Sequence, residues 1–267
     1  MNPMLNIAIR AARKAGNVIA KSYERRDDIE ITSKNVNDYV TNVDKAAEAA
    51  IIEIILKTRR QHTIITEETG VLEGKEQDIQ WVIDPLDGTT NFINGFPHFS
   101  VSIAIRVKGR TEVGVVYDPI KNELFTAVRG EGAKLNEIRL RVDSKRELQG
   151  SVLATGFPFK KPNLMSTQFA IMNALIEDCS DFRRTGSAAL DLSYVAAGRV
   201  DGYFEMGLKP WDCAAGDLIA REAGALVCDF NASHHYLKEG HMVAGAPRVV
   251  KSILNSIQSC LGEEFKK

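Results

Sequence analysis

The sequence lacks most of the features that would place it in a specialised class at sight. Its four cysteines, Cys179, Cys213, Cys228 and Cys260, form no C-x-x-C pair, which argues against both a zinc ribbon and a disulfide framework. Cys213 and Cys228 lie in apolar stretches and read as buried, reduced thiols. Charge of one sign is not in excess. Lys+Arg number 34 against 35 Asp+Glu, a net charge of −1, without the basic surplus of a dedicated nucleic-acid binder. No stretch approaches the roughly 20 apolar residues that span a membrane. The N-terminal run MNPMLNIAIRAARKAGNVIAKSY is interrupted by Arg10, Arg13 and Lys14, so it is not a signal peptide. Internal repeats and low-complexity segments are missing as well. Together these absences point to a cytoplasmic globular protein.

What is present is ordinary in amount and informative in order. The 267 residues are 44% hydrophobic and 26% charged, ample for a sizeable core in one large domain or two modest lobes. Leu5, Ala8, Ile9, Ala12, Ala15, Gly16, Ile19 and Tyr23 recur at spacings of three and four, so the chain opens with an amphipathic helix. Residues 24–42 are polar and irregular. A second helix follows over 43–58 with Asp44 in its first turn, where the helix dipole favours an acid. A short strand at 63–66 runs into Glu67-Glu68, and another at 80–83 runs into Asp84. Apolar and small polar residues alternate in SVSIAIRV, residues 100–107, which predicts a half-buried strand. Segments 112–119 and 123–128 pair as a hairpin around Asp118-Pro119 and Lys121-Asn122. The second half alternates instead, with strands at 151–156, 202–205, 225–230 and 242–247 and helices over about 164–178, 187–198, 211–224 and 247–260. The expected class is α+β, a single unit over residues 1–267 with two lobes. A helix pair plus antiparallel sheet covers about 1–150, and an α/β lobe covers about 151–267.

The informative acids sit where these elements end. Glu67 and Glu68 follow one strand, Asp84 and Asp87 another, Glu205 ends a third, and Asp212 opens a helix. At such places loops and backbone amides converge on a rigid base. Taken singly, each acid is an ordinary cap or turn residue. Asp84-Pro85-Leu86-Asp87-Gly88 alone is a tight turn with Gly88 in the left-handed position. Their number changes the reading. Several carboxylates at the ends of apolar strands, with no basic residue beside them, repel one another unless a divalent cation intervenes. An all-oxygen set suits Mg2+ rather than zinc. Pro85 stiffens the chain so that Asp84 and Asp87 face one locus, with the Leu86 carbonyl between them as a neutral oxygen ligand. Asp84 can then bridge two ions in the manner of two-metal phosphoryl chemistry. The amides of Gly88, Thr89 and Thr90 offer a cradle for phosphate oxygens. Glu67 and Glu68 point to opposite sides of an extended chain, so only one of them is a ligand.

WVIDPLDGTTNF at 81–92, taken with WDCAAGDLIAREAGA at 211–225, resembles the two signatures of the inositol monophosphatase family, in its bacterial extragenic-suppressor branch. That family lies within the lithium-sensitive, Mg2+-dependent phosphatase superfamily. The likeness runs from the first helix to the last. D-P-x-D-G-[ST] followed about 125 residues later by W-D at a helix start, with T-E-E upstream, is a specific combination. The resemblance implies a layered αβαβα sandwich of the sugar-phosphatase type, often a homodimer, that uses two to three Mg2+ ions. It implies Glu67 as a ligand of the first metal, Asp84 as the bridging acid, and Leu86 as a ligand through its backbone carbonyl. Asp87 and Asp212 match the second metal's ligands. Thr89 and Glu67 would orient the attacking water, with the acid of Asp44 behind them. Asp87, Gly88 and Thr89 would meet the phosphate, Gly186 and Ala188 the substrate ring, and Glu205 a ring hydroxyl. Lys34 falls in the loop that the family places, mobile, over the site. The implied reaction is in-line attack by a metal-activated water on inositol-1-phosphate and similar small polyol phosphates, without a phospho-enzyme. Departures are small: Ala225 stands where a second glycine is common, and Lys209-Pro210 where relatives vary. The latter lies near the substrate side.

Other functions share some of these features. Nucleotide 3′-phosphatases and fructose-1,6-bisphosphatases have the same metal core, although Glu205 followed by the compact MGLKPWD favours the monophosphatase. An alternative of another class also comes with the resemblance. The branch resembles a non-catalytic partner in ribosomal RNA transcription antitermination, which works with Nus factors and RNA polymerase. No residue announces that role, and direct nucleic-acid binding is not evident. Three further features carry no chemistry at this level. His234-His235 and His241, in a polar loop without matched ligand spacing, read as surface histidines. Cys213, inside a helix of small residues, reads as packing rather than a nucleophile. Arg183 and Arg184 read as an interface or solvated pair rather than a phosphate clamp.

Overall fold

Small residues on one face of the first helix decide how the N-terminal half is assembled. The computed structural model describes residues 2–144, 146–262 and 265. In α1 (Pro3–Tyr23), Ala8, Ala11, Ala12, Ala15 and Gly16 are all buried; the small alanines let α2 (Asn42–Arg59) pack alongside, and Gly16 leaves room for the ring of Tyr117. The connection between them, expected to be irregular, contains a hairpin of β1 (Ile31–Asn35) and β2 (Asp38–Thr41). Every residue of β1 is exposed. A strand that buries neither face shows no hydrophobic alternation, which is why its sequence does not announce it.

Next come β3 (His62–Thr66), β4 (Gly70–Leu72), β5 (Glu76–Asp87), the short helix α3 (Thr89–Asn94), β6 (Ser100–Val107), β7 (Arg110–Asp118), β8 (Glu123–Val128), β9 (Gly132–Leu135) and β10 (Ile138–Arg139). Their eight strands form one sheet in the order β10-β9-β8-β7-β6-β5-β3-β4, antiparallel throughout except for the parallel pair β3 and β5. The second half supplies β11 (Val152–Thr155), α4 (Met165–Leu175), β12 (Asp181–Arg183), α5 (Ala188–Ala196), β13 (Gly202–Met206), α6 (Pro210–Glu222), β14 (Leu226–Cys228), the short α7 (Tyr236–Glu239), β15 (His241–Gly245) and α8 (Pro247–Ile257). Its strands form a mixed sheet in the order β12-β11-β13-β15-β14. His241, expected in a surface loop, opens β15 and packs against the rings of Phe230 and Phe265.

Side chains on the two faces of each sheet produce the layers. On the larger sheet Trp81, Ile83, Ile103 and Val115 point to Ile19 and Ile51 of α1 and α2. From its other face Val82, Ala104, Val116 and Phe125 meet Ala189 and Leu190 of α5 and Ala215 and Leu218 of α6. The far sides of those helices, with Leu192, Val195, Cys213 and Ala220, meet Ala154, Tyr203, Val227 and Ala244 of the smaller sheet. Ile171 and Leu175 of α4 and Val250 and Ile253 of α8 cover its last face. The result is the αβαβα sandwich. It also corrects one expectation. β6 is buried on both faces, Ser100 and Ser102 included, because α1 covers one side and α6 the other. Its alternation separates two kinds of neighbour rather than core from solvent.

One glycine sets how closely α6 lies on the larger sheet. A Cβ on Gly114 of β7 would sit 2.7 Å from the carbonyl oxygen of Ala215, a backbone atom with little freedom to yield. Gly114→Ala is expected to destabilise the fold by about 1–3 kcal/mol through this overpacking, read as a lower urea midpoint with unchanged slope. Wild-type stability would show that α6 is not held at this distance.

Candidate active site

A fault in the sheet brings the two acids of the central motif together. Asp84 on β5 pairs with Ser102 on β6, and Asp87 pairs with Ser100. Three steps on β5 therefore match two on β6, a bulge at Pro85-Leu86 where proline has no N–H to give the ladder. In a regular strand, residues three apart face opposite sides; the bulge returns Asp87 to the side of Asp84. The Leu86 N–H donates to Asp84 Oδ1 at 2.9 Å. Glu67 arrives from the parallel neighbour, its N–H donating to the Ile83 carbonyl at 3.3 Å. Asp212 arrives on α6, anchored opposite Asp84: the hydroxyl of Ser102 donates to the Trp211 carbonyl at 3.1 Å, and Asp212 Oδ2 accepts the Lys209 N–H at 2.7 Å. One oxygen each of Glu67, Asp84 and Asp212 lie within 4.8 Å of one another. Glu68 turns away, its carboxylate 2.6 Å from Lys34 Nζ.

The other expected residues line the same cavity of about 190 Å3, Asp44 excepted. Asp87 lies outside the tight trio, its Oδ2 accepting from Ser187 Oγ at 2.6 Å and from the Ala189 N–H at 2.8 Å, so that it docks the start of α5. Thr89 Oγ1 lies 2.9 Å from Asp44 Oδ1 and 3.1 Å from the Leu86 carbonyl. Asp44 itself is buried and caps α2 by accepting the Thr41 N–H at 2.9 Å. Gly88 adopts φ 102°, and a Cβ there would lie 3.1 Å from the His98 carbonyl oxygen and 3.3 Å from that of Gly186, so the chain passes where only glycine fits. Gly186 and Ala188 border the cavity beside it. Glu205 accepts from the Tyr203 hydroxyl at 2.7 Å. A Cβ on Gly156 would fall 2.1 Å from the Glu205 carboxyl, so the absence of a side chain at 156 is what makes room for it.

The chain as a whole matches a known family. The profile of the inositol monophosphatase family matches residues 1–263. The chain belongs to that family. The Nus factor SuhB of Pasteurella multocida (strain Pm70) is 76% identical over 267 residues, 100% of either chain. Among solved structures, the extragenic suppressor protein suhB from Bartonella henselae is similar with a TM-score of 0.94 at 37% identity, over 97% of this chain and 100% of that one. The inositol monophosphatase from Anabaena (Nostoc) sp. PCC 7120 is similar with a TM-score of 0.87 at 36% identity, over 98% and 97%.

In this member of the inositol monophosphatase family, burial and mutual repulsion weigh on every acid. Burial pushes Glu67, Asp87, Glu205 and Asp212 up to about 7, with the neighbouring Asp212 adding to the effect on Glu67 and Asp87 to that on Asp212. Burial followed by the charges of Glu67, Asp87 and Asp212 raises Asp84 well above the usual carboxylate range. Burial also raises Asp44, against the hydrogen bonds from Thr41 and Thr89. Among the described residues, those lining the cavity include neither cysteine nor histidine. Crowded, desolvated oxygens of one sign fit a hard divalent cation, which the chemistry of this donor set favours over zinc.

Several lining residues escaped the sequence reading. Lys160 stands beside the acids expected to have no basic neighbour, its Nζ 2.6 Å from Asp38 Oδ1 and 4.0 Å from Glu67 Oε1. The arginine pair separates: Arg183 pairs with Asp181 at 2.5 Å, whereas Arg184 lines the cavity. Asp191 lines it as well. Tyr203, which holds Glu205 without lining the cavity, left a signal, since it stands two residues before Glu205 on one strand and therefore on the same face. Lys34 lies in β1, bound to Glu68, and does not line this cavity.

A carboxylate at about 4 in the unfolded chain and about 7 in the fold holds its proton more tightly when folded. It favours folding while protonated, and that contribution is lost as pH rises toward 7. Protein stripped of divalent cations should therefore melt lower at pH 8 than at pH 5.5, with Asp84→Asn narrowing the gap. Mg2+ binding near pH 7 should release protons, measurable by calorimetry in buffers of different ionisation enthalpy. Equal melting at the two pH values, with no proton release, would mean that the acids ionise freely without a cation.

Proposed function

We propose that the chain is a Mg2+-dependent phosphomonoesterase of inositol-1-phosphate and similar small polyol phosphates, a cytoplasmic homodimer in which both lobes serve one site. The observation that carries this reading is the convergence of Glu67, Asp84 and Asp212 beside the Gly88-Thr89 turn. Glu67, Asp84, Asp87, Asp212 and the Leu86 carbonyl would hold two to three Mg2+ ions, which neutralise phosphate charge and activate water. The chain's own groups do the rest. Thr89 Oγ1, donating to Asp44 Oδ1 at 2.9 Å, keeps its lone pairs free to accept from the attacking water and align it together with Glu67. Asp44, with its raised proton affinity, is suited to hold the proton passed along Thr89. The amides of Gly88 and Thr89 bind phosphate oxygens in the cradle that glycine at 88 keeps open. Gly186 and Ala188 flank the ring. Glu205, held by Tyr203 on one oxygen, accepts from a ring hydroxyl.

Asp84→Asn should lower Mg2+-dependent phosphate release from inositol-1-phosphate by at least about a hundred-fold while retaining the wild-type circular dichroism spectrum. Li+ should inhibit the wild-type reaction. Turnover near normal in the variant overturns the reading. A panel that adds nucleoside 3′-phosphates and fructose-1,6-bisphosphate separates it from the related phosphatase activities.

A second reading rests on the relative named a Nus factor at 76% identity across the full chain: association with Nus factors and RNA polymerase, independent of catalysis. A pull-down with the transcription elongation complex should capture wild type and Asp84→Asn equally. Capture of neither removes it.

A further inference from the structure

We propose that Glu48 is a positioning residue, which holds Glu67 to the metal site and at a fixed distance from Thr89. The proposal rests on the phosphatase reading above. Glu48 lies on the buried face of α2, 3% exposed, and does not line the cavity. Its carboxylate is turned instead to the link between β3 and β4. Oε2 accepts from Thr66 Oγ1 at 2.5 Å and from the Glu68 N–H at 3.1 Å, and Oε1 accepts from Thr69 Oγ1. All three donors belong to the four residues Thr66–Thr69, which have Glu67 in their midst. A carboxylate, an acceptor at both oxygens, suits three donors at once, and only such bonds offset the cost of burying it.

Glu67 needs this brace more than its neighbours do. Asp84, Asp87 and Asp212 each accept a backbone N–H. Among the described residues the Glu67 carboxylate has no such anchor, and Lys160 Nζ stands 4.0 Å from it. The charges of Asp84 and Asp212 press against it. The sheet gives its turn little support, since β4, the outermost strand on that side, is only three residues long. α2 supplies what the sheet does not. Glu48 follows Asp44 by four residues, so the two stand on one face of the helix, about one turn apart. Asp44 accepts from Thr89 Oγ1 at 2.9 Å, and Glu48 holds the turn of Glu67. The two groups assigned to align the attacking water thus come from different elements, yet both are tied to one rigid helix. A small displacement between them costs rate rather than substrate binding.

Calorimetric titration with Mg2+, without substrate, tests the brace in wild type, Glu48→Ala and Glu48→Gln. Glu48→Ala should weaken Mg2+ binding by about ten-fold or more, the usual effect of losing a group that orients a ligand. At saturating Mg2+ it should lower kcat for inositol-1-phosphate and leave KM unchanged. Glu48→Gln should stay close to wild type, because its amide oxygen can accept from Thr66 and Glu68 while its NH2 donates to Thr69 Oγ1. The fitted affinity belongs to folded protein, so a partly unfolded preparation changes the stoichiometry and not the result. Thr69→Val, which removes one donor at an exposed position, should weaken Mg2+ binding in the same direction by less, and it decides the matter if Glu48→Ala does not fold. Wild-type Mg2+ affinity in Glu48→Ala or Thr69→Val, or a rise in KM in place of the fall in kcat, overturns the proposal. Glu48→Gln as weak as Glu48→Ala overturns it too, since the effect would then belong to the charge and not to the bonds. The expected Mg2+ pattern without hydrolysis of inositol-1-phosphate leaves the brace standing and overturns the phosphatase reading. No Mg2+ binding by wild type overturns both.

Discussion

Repulsion among buried carboxylates is the constraint around which the rest of this structure is organised. Glu67, Asp84, Asp87 and Asp212 stand close together with little water to screen them, and burial drives all four up from the usual carboxylate range. Left to themselves such groups would swing apart or protonate. The fold prevents the first by giving three of them a backbone anchor: Leu86 N–H for Asp84, Ala189 N–H for Asp87, and Lys209 N–H for Asp212. These bonds place the acids without neutralising them. The site is thus a stored electrostatic demand for cations, maintained by the packing of five layers.

The central helix layer transmits that packing to the chemistry. α5 and α6 are buried against both sheets, and each delivers a group to the cavity from its first turn. α6 carries Asp212, while α5 carries Ala188 and the Ala189 amide that grips Asp87. Close approach at Gly114 on one side and the Ser102 to Trp211 bond at the helix start leave α6 little room to slide. Lys160 and Arg184 stand among the acids of that cavity, and Lys34, Lys161 and Lys209 line the space beside it.

Much of this was legible in the chain, and the reasons differ from residue to residue. The amphipathic period of α1 follows from which face is buried, and a local pattern records that directly; the alternation in β6 announced a strand although both its faces are buried. In the hairpin β1–β2 every residue of β1 is exposed, and it left no such record. Asp84, Asp87 and Asp212 were readable as a set because their motifs are compact. Lys160 and Asp191 were not, since each is a single polar residue in a loop or helix whose meaning depends on what lies opposite. Arg184 was read together with Arg183 as one pair, yet neighbours on an extended chain point in different directions, and only one of them faces the cavity.

By itself the sequence determined the element types, the apolar faces that select a layered α+β fold, and the oxygen-rich chemistry of the site, because these depend on residue type and short-range spacing. That Asp84 and Asp87 face one locus was expected from Pro85, but tertiary structure alone supplied the strand pairing that puts them on one side. The match of three residues on β5 to two on β6 is a property of pairing with a strand that begins thirteen residues further on. It also decided the position of Lys160 beside the acids and the space that Gly156 leaves for Glu205. Each of these joins residues far apart in sequence, and their interaction exists only once the layers have closed.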